Sequence, residues 1–111
     1  MYNVLLVDDA ETVRSFLACV LETAGYTVRQ AVDGQQAWEM YTSEKFDVVV
    51  SDCDMPRMTG PELADRILQQ DPAARIILMS GKEQPRSPVQ VFQKPFSPLT
   101  LVELIKDKVK K

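Results

Sequence analysis

Five positions carry side chains whose types suit the transfer of a highly charged group: Asp8, Asp9, Asp52, Ser80 and Lys94. Three carboxylates brought to one place repel one another unless a hard divalent cation neutralises them, and an all-oxygen donor set suits Mg2+. A lysine and a hydroxyl facing the same point add positive charge and a hydrogen bond, which the oxygens of a transferring phosphoryl group require. On that arrangement Asp52 is the nucleophile. Each residue alone has a plainer reading. Asp8-Asp9 fits the N-cap of a following helix, Ser80 a strand-end hydroxyl, Lys94 before Pro95 a solvated turn lysine, and Asp52 a turn former ahead of Met55-Pro56. The chemistry therefore depends on a fold that gathers all five.

Such a fold is visible in the patterning. Runs rich in Val, Ile and Leu alternate with segments of helical period, the pattern of a parallel sheet with helices on both faces. Strands are expected at Asn3–Val7, Thr27–Ala31, Asp47–Ser51, Ile76–Ser80 and Val89–Gln93. A first helix is expected from about Glu11 to Ala24, with Val13, Phe16, Leu17, Val20, Leu21 and Ala24 on its apolar stripe and Gly25 as a left-handed cap. A second covers about Gln35 to Thr42. Thr59 or Gly60 precedes Pro61 at the start of a third, which buries Leu63, Ala64 and Ile67, and Ser97-Pro98 open the last. Right-handed crossovers make this a doubly wound five-stranded α/β sheet, in which ligands bind outside the carboxyl ends of the strands. The candidate residues lie after the first, third, fourth and fifth strands.

The bulk properties narrow the class. The 111 residues suit one domain spanning 1–111, with 45% hydrophobic and 26% charged residues as in an ordinary globule. No apolar run approaches the roughly 20 residues of a membrane span, and the opening MYNVLLVDD does not read as a secretory signal, so a cytoplasmic location without a membrane partner is expected. The net charge of −3 argues against direct nucleic-acid binding across the domain. Cys19 and Cys53 have no metal-ligand spacing and are expected as small buried thiols. The lysines of KDKVKK complement the last helix's dipole. With no histidine in the chain, a Ser/His pair, a histidine zinc site and a phosphohistidine of its own are excluded.

The stretches LLVDDAETVRSFL, DVVVSDCDMPRMTGPEL, IILMSG and QKPFSPLTLVELI resemble successive signatures of the response-regulator receiver family over nearly the whole chain. The resemblance implies a flavodoxin-like sheet of order 2-1-3-4-5 and a phosphorylation-dependent switch of a two-component system. It makes Asp52 the phosphoacceptor, Asp9 a direct Mg2+ ligand, Asp8 a ligand acting mainly through water, and the backbone carbonyl of Asp54 a further ligand. It makes Ser80 the hydroxyl that moves toward the phosphoryl group and Lys94 the ion-pair partner of phosphate and Asp52, with a cis Lys94–Pro95 peptide aiming the lysine inward. Met55, Pro56 and Met58 are loop packing. The implied donor is a sensor histidine kinase or histidine phosphotransfer protein, so the chain is a self-catalysing switch with an unidentified output partner and not an enzyme with turnover. Asp54 and Lys82, two positions beyond Asp52 and Ser80, flank the path of attacking water in this family, where their pairing would lengthen the phosphorylated state.

Two other readings remain open at this point. Asp52-Cys53-Asp54 matches the DxD of haloacid-dehalogenase-type phosphatases, although those resemble chains with DxD on the first strand and the second acidic pair late. A non-phosphorylated pseudoreceiver acting only by docking is the other. One departure from the family pattern is expected to matter for output. Only Gly81–Pro88, eight residues with two prolines, separate the fourth and fifth strands, whereas a parallel crossover normally takes a dozen or more. Returning along a strand of about 17 Å is beyond eight helical residues (~12 Å) but within eight extended ones (~26 Å). The fourth crossover helix is thus expected to be absent or a single turn. The family's switching aromatic, three positions before the lysine, is replaced by Val91, with Phe92 facing the other way.

Overall fold

Unbroken apolar strands need cover on both faces, and they obtain it. A computed structural model describes residues 2–81, 87–93 and 97–109. The elements are β1 (Asn3–Val7), α1 (Glu11–Thr23), β2 (Thr27–Ala31), α2 (Gly34–Ser43), β3 (Val48–Asp52), α3 (Gly60–Gln70), β4 (Ile76–Ser80), β5 (Val91–Gln93) and α4 (Pro98–Val109). All strand pairs are parallel, in the order β2-β1-β3-β4-β5, which is the flavodoxin-like arrangement expected. Side chains alternate across the sheet. Leu5, Val7, Val49 and Leu78 share one core with Ala37, Leu63, Ala64 and Ile67 from α2 and α3. Val4, Leu6, Val48, Val50 and Ile77 share the other with Leu17, Ala18 and Leu21 of α1 and Leu101, Val102 and Ile105 of α4.

Several boundaries move for identifiable reasons. β3 runs one residue later than expected because Asp52 pairs with Met79 in the β4 ladder and the Cys53 N–H continues it to the Met79 carbonyl at 2.8 Å. β5 starts two residues late. Pro88 has no N–H to give the ladder, and the Val89 N–H turns to Ser87 Oγ at 3.1 Å. Gly25 takes the left-handed conformation at φ 100°, as its place after α1 predicted, with Ala24 as the cap residue. Among the described residues no helix lies between β4 and β5, while Lys82–Arg86 fall outside them.

The α1 stripe is narrower than the sequence suggested. Leu17, Ala18 and Leu21 are buried, but Phe16 is 57% exposed, Val13 39%, and Ala24 is also exposed. Phe16 and Val20 instead border a shallow groove against Leu99 and Val102 of α4. Cys19, expected buried, is exposed; Cys53 is buried. Two residues beyond Leu17 is about 200° around a helix, so Cys19 must leave the face that Leu17 buries.

Candidate functional site

Asp8, Asp9 and Asp52 converge at the carboxyl ends of β1 and β3. One carboxylate oxygen from each lies within 4.8 Å of the others, the one such group of three among the described residues. Asp8 and Asp52 are buried at 1% and 7% exposure, whereas Asp9 is exposed. The set is all oxygen and brings three formal charges together, which fits a hard divalent cation such as Mg2+ and not a soft one. Ser80 is buried at the end of β4, one position beyond the residue that pairs with Asp52. Asp54 is exposed in the loop after β3. Lys94, with its peptide to Pro95, and Lys82 lie outside the described residues.

The helix-capping reading of the acidic pair is not what the chain does. Ala10 occupies the α1 N-cap and provides no side-chain bond. Asp8 Oδ1 accepts the Ala10 N–H at 2.9 Å, its own N–H donates to the Ala31 carbonyl at 3.2 Å, and the Arg14 guanidinium donates to the Asp8 carbonyl at 2.9 Å. The β1–α1 turn is thus held by the acid and by a residue one helical turn further on.

The loop from Cys53 to Thr59 is held from both sides. At Gly60 a Cβ would stand 2.5 Å from the Asp52 carbonyl oxygen, and at Gly34 one would stand 2.4 Å from that of Met58, so both glycines are demanded by close backbone approach. Met55 and Met58 are buried in the α2–α3 core, as expected of packing residues. Arg57 takes a left-handed φ of 70° and reaches Asp33, the N-cap of α2, at 3.6 Å. Thr59 and Glu62 form a capping box. The Glu62 carboxyl is held below its ordinary range by the Thr59 N–H and then the Thr59 hydroxyl. Val91 is buried on the α2–α3 side and Phe92 packs on the other, as expected.

The sequence reading singled out neither Arg14 nor Gly34. The signal for Arg14 was its spacing, four residues beyond the Ala10 N-cap and so above the acidic turn. The signal for Gly34 was a glycine directly after a capping aspartate, where a side chain costs nothing unless something approaches.

A five-stranded doubly wound sheet with a carboxylate cluster at its strand ends defines a class of acidic-site α/β proteins. Residues 4–106 match the family model described as the response regulator receiver domain, and the chain belongs to that family. It is 36% identical over 112 residues to the chemotaxis protein CheY of Thermotoga maritima, covering 93% of each chain. It is 35% identical over 114 residues to the response regulator receiver protein CpdR of Brucella abortus, covering 95% of this chain and 94% of that one. The structure of the response regulator TrrA from Thermotoga maritima, in complex with Mg2+ and BeF, superposes with a TM-score of 0.89 at 30% identity, covering 97% of this chain and 99% of that one. This membership sets aside the dehalogenase reading, whose first acidic motif belongs on the first strand. Receiver domains are signalling modules that work with histidine kinases and output domains. No described helix is long and apolar enough to cross a membrane.

Proposed function

We propose that the chain, as one receiver domain over 1–111, accepts a phosphoryl group on Asp52 from a phosphohistidine of a sensor histidine kinase or histidine phosphotransfer protein. The observation that carries this reading is the convergence of Asp8, Asp9 and Asp52 within 4.8 Å. An Asp52 carboxylate oxygen attacks phosphorus in line. The P–O bond forms as the P–N bond breaks, and the imidazole keeps the electron pair and its remaining proton. Asp8, Asp9, Asp52 and the Asp54 carbonyl hold Mg2+, which when bound neutralises charge on the phosphoryl oxygens. Lys94 pairs with the transferred group and Ser80 donates its hydroxyl to it. Hydrolysis of the mixed anhydride resets the switch without a second enzyme, slowed where Asp54 and Lys82 pair across the water's path.

The experiment is incubation with acetyl phosphate and Mg2+, read by intact mass. A single phosphoryl increment is expected for the wild type and none for Asp52→Asn or in excess chelator. An unmodified wild type refutes phosphotransfer and leaves a docking pseudoreceiver. The output, on this reading, passes through Gly81–Pro88 and α4 or through partner competition, because Val91 is no aromatic relay. Backbone chemical shifts with and without beryllofluoride test it: a turn-and-a-half of helix within 81–88 in either state overturns it. A phosphorylated lifetime unchanged in Lys82→Ala removes the pairing idea.

A further inference from the structure

The acidic pair sits on a turn whose hold on Asp9 comes through the backbone. Asp9 is exposed and so gains little from packing. The peptide between Asp8 and Asp9 sets its direction, and that peptide's oxygen accepts the Arg14 Nη1–H at 2.9 Å. The same guanidinium donates from Nε to Gln30 Oε1 at 3.1 Å, on β2. Arg14 itself is tied into the turn, since its N–H donates to the Ala10 carbonyl at 2.9 Å, and Ala10 in turn holds Asp8 Oδ1. One planar group with two separately aimed donors thus spans α1, the β1–α1 turn and the end of β2. A lysine ammonium, a point charge on a flexible stem, cannot reproduce that fork.

We infer that Arg14 is a positioning residue for the metal site, clamping the Asp8–Asp9 peptide so that both carboxylates face the position Asp52 faces. This inference rests on the proposed role of the pair as Mg2+ ligands. It differs in sign from the alternative in which Arg14 acts only by charge. A cation beside three carboxylates opposes Mg2+ electrostatically, so its loss without any clamping role would tighten binding. Loss of the clamp weakens it, on the order of tenfold, as for other groups that orient metal ligands.

The test measures the Mg2+ dissociation constant by calorimetry for the wild type, Arg14→Gln, Arg14→Lys and Gln30→Ala, with a thermal melt of each in chelator. Arg14→Gln and Arg14→Lys are both expected to bind Mg2+ about tenfold more weakly, and Gln30→Ala a few-fold more weakly, since the direct bond to the turn remains. The lysine variant retains the charge and guards against misfolding; its melt should remain cooperative. Arg14→Lys binding like the wild type, or Arg14→Gln binding more tightly, overturns the clamp while leaving the metal site intact. A wild type that does not bind Mg2+ overturns the metal site itself, and the clamp with it.

Discussion

The two ends of the sheet are both rich in acid, and they use it in opposite ways. At the amino end, Glu44, Asp47 and Asp71 line a cleft of about 620 Å3 with Asn3, Tyr41 and Phe46. Each carboxylate there has its own local donor. Asp47 accepts the Asn3 N–H at 2.7 Å, Asp71 accepts the Tyr41 hydroxyl at 3.2 Å and the Ala73 N–H, and Glu44 takes both nitrogens of the Arg29 fork. At the carboxyl end, Asp8, Asp9 and Asp52 are pressed against one another. An acidic count distinguishes nothing between the two ends. Convergence does, because charges crowded into one site raise the energy of the empty site and favour a cation.

Removing one acid at each end should separate them most strongly. Asp9→Asn is expected to weaken Mg2+ binding by at least about tenfold and yet to raise metal-free stability by on the order of 1 kcal/mol, since it relieves repulsion at under 5 Å. Asp71→Ala should leave Mg2+ binding unchanged and lower stability by about 1 kcal/mol through its two lost hydrogen bonds. Calorimetry and denaturant melts read both. An Asp9→Asn protein less stable without metal than the wild type would remove the contrast.

Backbone approach gives the next effect. The Cβ of Gly60→Ala would meet the Asp52 carbonyl oxygen at 2.5 Å and Cys53 Cα at 2.9 Å, and neither is a flexible chain end. We expect a loss of about 1–3 kcal/mol together with slower phosphorylation by acetyl phosphate, because α3 can yield only by pushing the end of β3. Gly81→Ala, with open space around its Cβ, should change stability by less than about 0.5 kcal/mol.

The capping box beside the site gives a smaller and pH-dependent effect. Thr59→Ala should cost about 1 kcal/mol. The bonds from Thr59 lower the Glu62 pKa from its ordinary 4.5, so the ionised carboxylate is favoured in the folded chain. Its contribution is present above pH 4.5 and is lost as pH falls through the lowered value. The difference in melting midpoint between the wild type and Glu62→Gln should therefore shrink as pH drops below 4.5, and a constant difference would disprove the linkage.

Much of this was legible because it rests on local rules. The β1 and β4 bounds followed from apolar runs, the Gly25 cap from its place after a helix, and the acid cluster from strand order combined with strand-end residues. What escaped depended on partners distant in sequence. Nothing local says that Met58 lies against Gly34 or that Phe16 of α1 turns away from the core. Those facts follow from how tightly one helix sits on one sheet, which periodicity constrains only to within a residue or two.

The weakest effect belongs to the amino end and tests whether its acids are structural partners. Burial, then the charge of Asp71, then the hydrogen bond to Asp71 push the Tyr41 phenol from 10.0 up to about 12. A raised value on an acid that is neutral when protonated means the fold favours the phenol over the phenolate. The associated stability is complete below pH 10 and is lost between pH 10 and about 12. At neutral pH, Tyr41→Phe should therefore cost under about 1 kcal/mol, the worth of one partly exposed hydrogen bond, and leave Mg2+ binding untouched. In an alkaline absorbance titration it should delete a phenolate step near pH 12. Asp71→Asn should shift that step down without restoring it to 10, since burial, the larger cause, persists. A step that stays near pH 12 in Asp71→Asn would show that the carboxylate does not govern this end, and one that persists in Tyr41→Phe would show that the late-titrating phenol is another residue.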